Sequence, residues 1–276
     1  MIKSIRKINY TGKVYNFAVK NNNNYFAQNI LVHNCYEGCT KDGLHGRVDY
    51  PFIDTLHAGT ELAINGNDMD HPQLDEFLHK LQEKGIITNV TVNKAQFLAN
   101  REMIMKYQKE GLLHGIGISA NSFDEDFIKV IEETPNSVIH TIAGICTLEN
   151  YKRLFGRRVK VLVLGYKTRG RGVEYKEKLG ADIQKNIDEV NNSLKEIAEN
   201  VIVLSFDNLA IEQLSNVRTV AGKDWETIYM GDDGNYTFYI DLVAGTFAKN
   251  SCIDERFPIG DKSMDEMFNF IREKYK

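Results

Sequence analysis

Six short apolar stretches, spaced along the chain and separated by polar segments, restrict this sequence more than any other feature. They are "TELAIN" (60–65), "IITNVTVN" (86–93), "LLHGIGISAN" (112–121), "SVIHTIAGI" (137–145), "RVKVLVLG" (158–165) and "NVIVLSFD" (200–207). Between the first two lies "DHPQLDEFLHKLQEKG", with Leu74, Phe77, Leu78 and Leu81 at helical spacing and Gly85 as a stop. Residues 97–110 give the next helix, an acidic helix start follows at 124, and 174–199 form a polar helical segment. Strand and helix in alternation predict a parallel α/β sheet or partial barrel. In such folds functional groups gather at the C-terminal ends of the strands. Those ends are rich in small and amide residues: Asn65-Gly66-Asn67, Ser119 to Ser122, Ala143-Gly144 and Gly165. At any one strand end such residues merely permit a tight turn; four such ends in phase suggest backbone lying close to a bound ligand.

The first 34 residues have a different character. They hold five basic residues (Lys3, Arg6, Lys7, Lys13, Lys20) and no acidic one. Removing those five from the 34 basic residues leaves 29 against 38 acidic in 35–276, a net −9. The lysines are scattered among strand-forming residues rather than clustered, which argues against a nucleic-acid arm and for two segments of different origin. "GKVYNFAV" (12–19) and "ILVHN" (30–34) read as strands, joined by a polar, asparagine-rich turn. Two strands do not make an independent core, so another element must complete them. No apolar run approaches a membrane span, and the first residues lack the apolar region of a signal peptide. Four cysteines do not make a disulfide framework, and a reducing cytoplasm is expected.

The boundary at "HNC" carries its own chemistry. The Asn34 side-chain amide can attack its own backbone carbonyl, forming a succinimide and breaking the 34–35 peptide bond. An adjacent imidazole, His33, can protonate the leaving amine. The Cys35 thiol is a strong nucleophile near neutral pH and can hold an acyl group as a thioester. Cys35 and Cys39 have CxxxC spacing, but the position three beyond Cys39 is Asp42, so this chain alone lacks a CxxxCxxC cluster motif. A zinc module at Cys35 and Cys39 fares no better, since Cys146 and Cys252 have no paired ligand nearby.

Residues 12–35, "GKVYNFAVKNNNNYFAQNILVHNC", resemble the C-terminal motif of inteins, the self-excising elements of protein splicing, with Asn16 where many inteins carry aspartate. The resemblance implies that 1–34 is a small β hairpin element completing a Hint fold, with His33, Asn34 and Cys35 catalytic. It also implies a partner: the N-terminal half of a split intein, expected on another chain because nothing here supplies its first nucleophile and Thr-x-x-His block. The basic excess of 1–34 would steer it toward a more acidic partner.

The remaining sequence resembles the radical S-adenosylmethionine (SAM) superfamily, in which the third cluster cysteine often heads a "CY-x-G" stretch like "CYEGCTKDGLHG". The resemblance implies an incomplete parallel (β/α)6 partial TIM barrel over 35–215 that lacks its first strand. Cys35 would be one ligand of a [4Fe-4S] cluster, with the other two cysteines on the N-terminal part of the enzyme carried by the partner chain. "LAINGND" stands where a Gly-Gly-Glu motif contacts SAM, without its glutamate. Asn65, Gly66, Asn67, Ser119, Asn121 and Gly144 are therefore the expected SAM contacts, with "LVLGYKTRG" on the adenine side. Residues 216–276 form a C-terminal extension with strand signals and no assignable motif. The alternative is a self-contained TIM-like aldolase or ligand-binding protein with a non-functional hairpin.

Overall fold

A computed structural model describes residues 45–65, 69, 71–168, 171–180, 182–229 and 231–276. The segment 1–34, with His33, Asn34 and Cys35, lies outside the described residues, as do Cys39, Gly66 and Asn67.

Each of the six apolar stretches contains one strand. The order is β1 (Glu61–Ile64), α1 (Leu74–Glu83), β2 (Ile87–Asn93), α2 (Lys94–Lys109), β3 (Gly115–Ser119), α3 (Glu125–Glu133), β4 (Ser137–Ile142), α4 (Leu148–Lys152), β5 (Lys160–Leu164), α5 (Arg171–Leu179), α6 (Asp182–Asn200) and β6 (Val203–Phe206). All six strands are parallel and lie in sequence order, β1-β2-β3-β4-β5-β6.

Local chemistry sets the helix boundaries. Helix α2 starts three residues earlier than periodicity alone suggests, because the Asn93 side chain accepts a hydrogen bond from the Gln96 amide at 2.9 Å. Asp124 caps α3 in the same way through the Phe127 amide. The expected single helix over 174–199 is instead two helices. Gly180, at φ +52°, follows α5 and its amide closes on the Lys176 carbonyl at 2.8 Å, a left-handed stop that ends the first helix.

One face of the sheet is apolar and covered. Val90, Val92, Ile116, Ile118, Ile139, Val161 and Val163 pack with Leu78 of α1, Phe97 and Ile104 of α2, Phe127 and Ile131 of α3, and Val190, Leu194 and Ile197 of α6. Sequential parallel order explains this, since right-handed crossovers that all advance in one direction leave their helices on one side.

The C-terminal region is built differently. Helices α7 (Asn208–Gln213), α8 (Val217–Ala221) and α9 (Trp225–Ile228) lead into an antiparallel sheet of β7 (Tyr239–Asp241), β8 (Thr246–Ala248) and β9 (Phe257–Pro258), then α10 (Met264–Lys274). A Ser263/Glu266 capping box starts α10. A second core joins this region to the start of the parallel sheet: Phe238, Ile240, Phe247, Met267, Phe268 and Ile271 pack with Phe52, Ile53, Leu62, Phe77 and Leu81. The Met264 amide also donates to Thr55 Oγ1 at 2.9 Å. Residues 216–276 therefore pack onto the sheet unit through a shared core.

Candidate functional site

Strand alternation directs every second side chain away from the helices. On that open face the register aligns Ala63, Asn89 and Gly115, then Thr91, Gly117 and Val138. A longer row crosses five strands near their C-terminal ends: Asn93, Ser119, His140, Leu162 and Ser205. Apart from Val138 and Leu162 these rows are polar or small, where the opposite face is aliphatic.

Gly117 is the reason the row can form. A Cβ at this position would lie 2.4 Å from His140 Cε1 and 2.7 Å from Thr91 Oγ1, so the imidazole occupies the space a side chain would need. Burial disfavours the charged form of His140 and pulls its pKa down to about 4. At the other end of the face, Asn89 Nδ2 donates to Glu61 Oε1 at 2.6 Å. Burial pushes the Glu61 carboxyl up to about 7, and the Asn89 hydrogen bond opposes that rise. Three buried polar atoms near this face find no partner among the described residues: Asn65 Nδ2, Asn89 Oδ1 and His140 Nδ1. Orphaned groups of this kind are rare in proteins and mark places where a further polar group belongs.

The described residues among the expected SAM contacts divide by what already occupies them. Asn65, at the end of β1, carries one of the orphan donors. Ser119 ends β3 in the His140 row. Asn121 is engaged within the fold, its Oδ1 accepting from the Ile142 amide at 2.8 Å and tying the end of β3 to that of β4. Gly144 lies beneath α6: a Cβ there would meet Ile183 Cγ2 at 2.7 Å, and its carbonyl accepts from Asn186 Nδ2 at 2.9 Å. The structure thus leaves Asn65 with an unpartnered amide and Ser119 in the row with His140, and engages Asn121 and Gly144 within the fold.

Beyond β5 and β6, where the C-terminal region meets the sheet, lies a cavity that the sequence did not reveal. Lys167, Asp207, Asp233, Lys249, Ser251 and Cys252 are among its lining residues. Asp207 caps α7; its Oδ1 accepts from the amides of Gly165 (2.8 Å) and Ala210 (2.7 Å), while burial raises its pKa. Asp233 accepts from the side-chain amides of Asn208 and Asn250, each at 2.7 Å. Lys167 is only 8% exposed and donates from Nζ to Ser251 Oγ at 3.0 Å. A lysine just past the apolar run "KVLVL" was the available signal; Ser251, 84 residues away, gave none.

Among the described residues no three His, Cys, Asp or Glu side chains converge as a metal site. Cys146 is fully buried and burial raises its thiol pKa, so it does not suit a cluster ligand; Cys252 lies at the cavity wall. No helix among the described residues is long and apolar enough to cross a membrane.

No family model and no solved structure matches the chain. A DNA topoisomerase 1 of Pyrococcus furiosus (strain ATCC 43587 / DSM 3638 / JCM 8422 / Vc1) is 45% identical over 53 residues, which is 19% of this chain and 5% of that protein. A likeness confined to a twentieth of the topoisomerase says nothing about the parallel sheet or the His-Asn-Cys boundary.

Proposed function

We propose that the chain is a protein trans-splicing precursor: a C-terminal intein half, 1–34, joined to the C-terminal part of a radical SAM enzyme. The string ending in His33-Asn34-Cys35 carries this reading, because its residues supply, in order, a proton donor, a self-cleaving amide and an acyl acceptor. The complementary intein half docks and presents an upstream thioester. The Cys35 thiolate attacks that acyl carbon and releases the upstream thiol. The Asn34 amide nitrogen then attacks the Asn34 carbonyl carbon, and His33 gives a proton to the departing Cys35 amine. That amine finally takes the acyl group from the Cys35 sulfur, leaving an ordinary peptide bond.

In the ligated product the parallel sheet would be a partial (β/α)6 barrel completed by a first strand from the partner. A [4Fe-4S] cluster and SAM, when bound there, would supply one-electron cleavage of SAM. The described residues hold no cluster site, and Cys35 is this chain's expected contribution to one. Asn65, with its orphan amide, and Ser119 offer polar groups at the strand ends for SAM.

Mass spectrometry after mixing with the cognate partner tests the splicing claim. A ligated protein and a free peptide of the first 34 residues are expected; no ligation would overturn it. Asn34→Ala should abolish peptide release and leave the branched intermediate, whereas normal release would remove Asn34 from its role. Iron content after anaerobic reconstitution of the ligated product separates the cluster enzyme from the single-chain aldolase or ligand-binding alternative, which predicts no bound iron.

A further inference from the structure

The polar face of the sheet holds a carboxyl group without a counter-charge. Glu61 stands two residues before Ala63, the register partner of Asn89, so the Glu61 and Asn89 side chains point to the same side of the sheet. Asn89 Nδ2 donates to Glu61 Oε1 at 2.6 Å, and this is the only side-chain bond that Glu61 makes among the described residues. None of their ammonium or guanidinium groups pairs with it. Buried carboxylates are ordinarily paired with a cation or held by several hydrogen bonds. Glu61 has neither, and burial lifts its pKa to about 7.

Asn89 adds a second acceptor at the same place. Its Nδ2 is spent on Glu61, while Oδ1, on the same carbon, is buried and finds no donor among the described residues. Gly115 on β3, the register partner of Asn89, makes room for that oxygen: a Cβ there would lie 2.8 Å from Oδ1. A carboxylate and an amide oxygen thus stand side by side, both short of hydrogen-bond donors. Glu61 and Asn89 are each only partly buried, so the pair is reachable from outside the fold. A water molecule would give hydrogens to both oxygens and leave the carboxylate charge uncompensated; a cation bearing N–H groups supplies both needs.

From this arrangement we infer that the polar face binds an organic cation with at least two N–H donors, an ammonium or amidinium group of a ligand, whose hydrogens go to the Glu61 carboxylate and to Asn89 Oδ1. Charge-assisted hydrogen bonds are the stronger kind, so Glu61 carries most of the recognition and Asn89 less. The site is built from β1 and β2 over a glycine of β3, all on this chain. The inference therefore does not depend on the splicing or radical readings.

The Asn89 side-chain amide is its own reporter. Its pair of signals in a proton–nitrogen correlation NMR spectrum of the full chain is identified as the pair lost in Asn89→Leu. The chain is then titrated at constant ionic strength, sodium being replaced by methylammonium, acetamidinium or tetramethylammonium. Methylammonium, acetamidinium or both should move the Asn89 pair in a saturable way, and which of them does so identifies the group. Tetramethylammonium, which has the charge and no N–H, should leave the pair in place. Glu61→Gln keeps the shape, removes the charge and should weaken binding about tenfold or more. Gly115→Ala pushes Asn89 Oδ1 aside and should weaken it by about threefold. No movement with any cation, or equal movement with all three, would overturn the site. So would undiminished affinity in Glu61→Gln with the rest of the spectrum unchanged. If Glu61→Gln loses the native spectrum, Gly115→Ala decides: unchanged affinity there overturns the proposal, and weakened affinity supports it.

Discussion

The two faces of the six-stranded sheet share one backbone and have opposite chemistry. Toward the helices, Val90, Val92, Ile116, Ile118, Ile139, Val161 and Val163 pack against aliphatic and aromatic side chains in a single core. On the other side, the same strands present Glu61, Asn89, Thr91, Gly117, Ser119 and His140, with orphaned polar atoms on Asn89 and His140. A sheet closed by helices on one side needs only apolar volume there. Desolvated groups on the other side stabilise nothing by themselves. The difference indicates that the apolar face holds the fold, whereas the orphaned polar atoms of the second face mark it as the side with chemistry to spare among the described residues.

Truncating a side chain on the covered face should therefore be the most damaging change. Phe97 is fully buried between the sheet and α3, edge-on to Phe127 with ring centres 6.4 Å apart. Phe97→Ala should cost about 3–5 kcal/mol by denaturant unfolding. A loss below about 1 kcal/mol would mean that this face is not the principal core. The open face should respond differently, to added volume rather than to its removal. Gly117→Ala places a methyl against His140 and Thr91 and should cost about 1–3 kcal/mol. Adding His140→Ala should recover much of that loss, because the ring is the obstacle; simple additivity of the two changes would refute the packing described.

Legibility followed the same division. Buried parallel strands are continuous apolar runs, so "KVLVL" and its neighbours announce themselves, and caps such as Asn93 and Asp124 mark helix starts. The break after Leu179 did not show, because a glycine inside a polar helical pattern is tolerated and only the positive φ of Gly180 reveals a stop. Strand-end residues could be nominated from topology, which brought Asn65 and Ser119 forward. Whether such a residue faces a ligand or the fold is a matter of register and packing: Asn121 is engaged by the Ile142 amide and Gly144 is covered by α6. His140 sits inside an apolar run, and nothing in that run says that its ring leans over the neighbouring strand to lie above Gly117. The Lys167–Ser251 contact joins elements with no local relation in sequence.

The smallest expected effect is also the most specific to the open face. Glu61, raised to about 7 from an ordinary 4.5, binds its proton more tightly in the folded state than in the unfolded chain, so its contribution is full below pH 4.5 and is lost as pH rises through 7. His140, lowered to about 4 from 6.5, works in the opposite sense, contributing fully above pH 6.5 and losing that contribution as pH falls through 4. The shifts are similar in size and their windows overlap between about pH 4.5 and 6.5, so in the native chain the two slopes largely cancel there. Removing either group unmasks the other. Glu61→Gln should leave stability that rises from pH 4.5 to 6.5, and His140→Gln stability that falls over the same interval, each by about 1 kcal/mol once partial solvent contact is allowed for. Urea unfolding of the three proteins at half-unit pH steps measures this. Parallel profiles for the two variants would show that these groups are not desolvated on the open face, and the contrast between the faces would then reduce to one of shape.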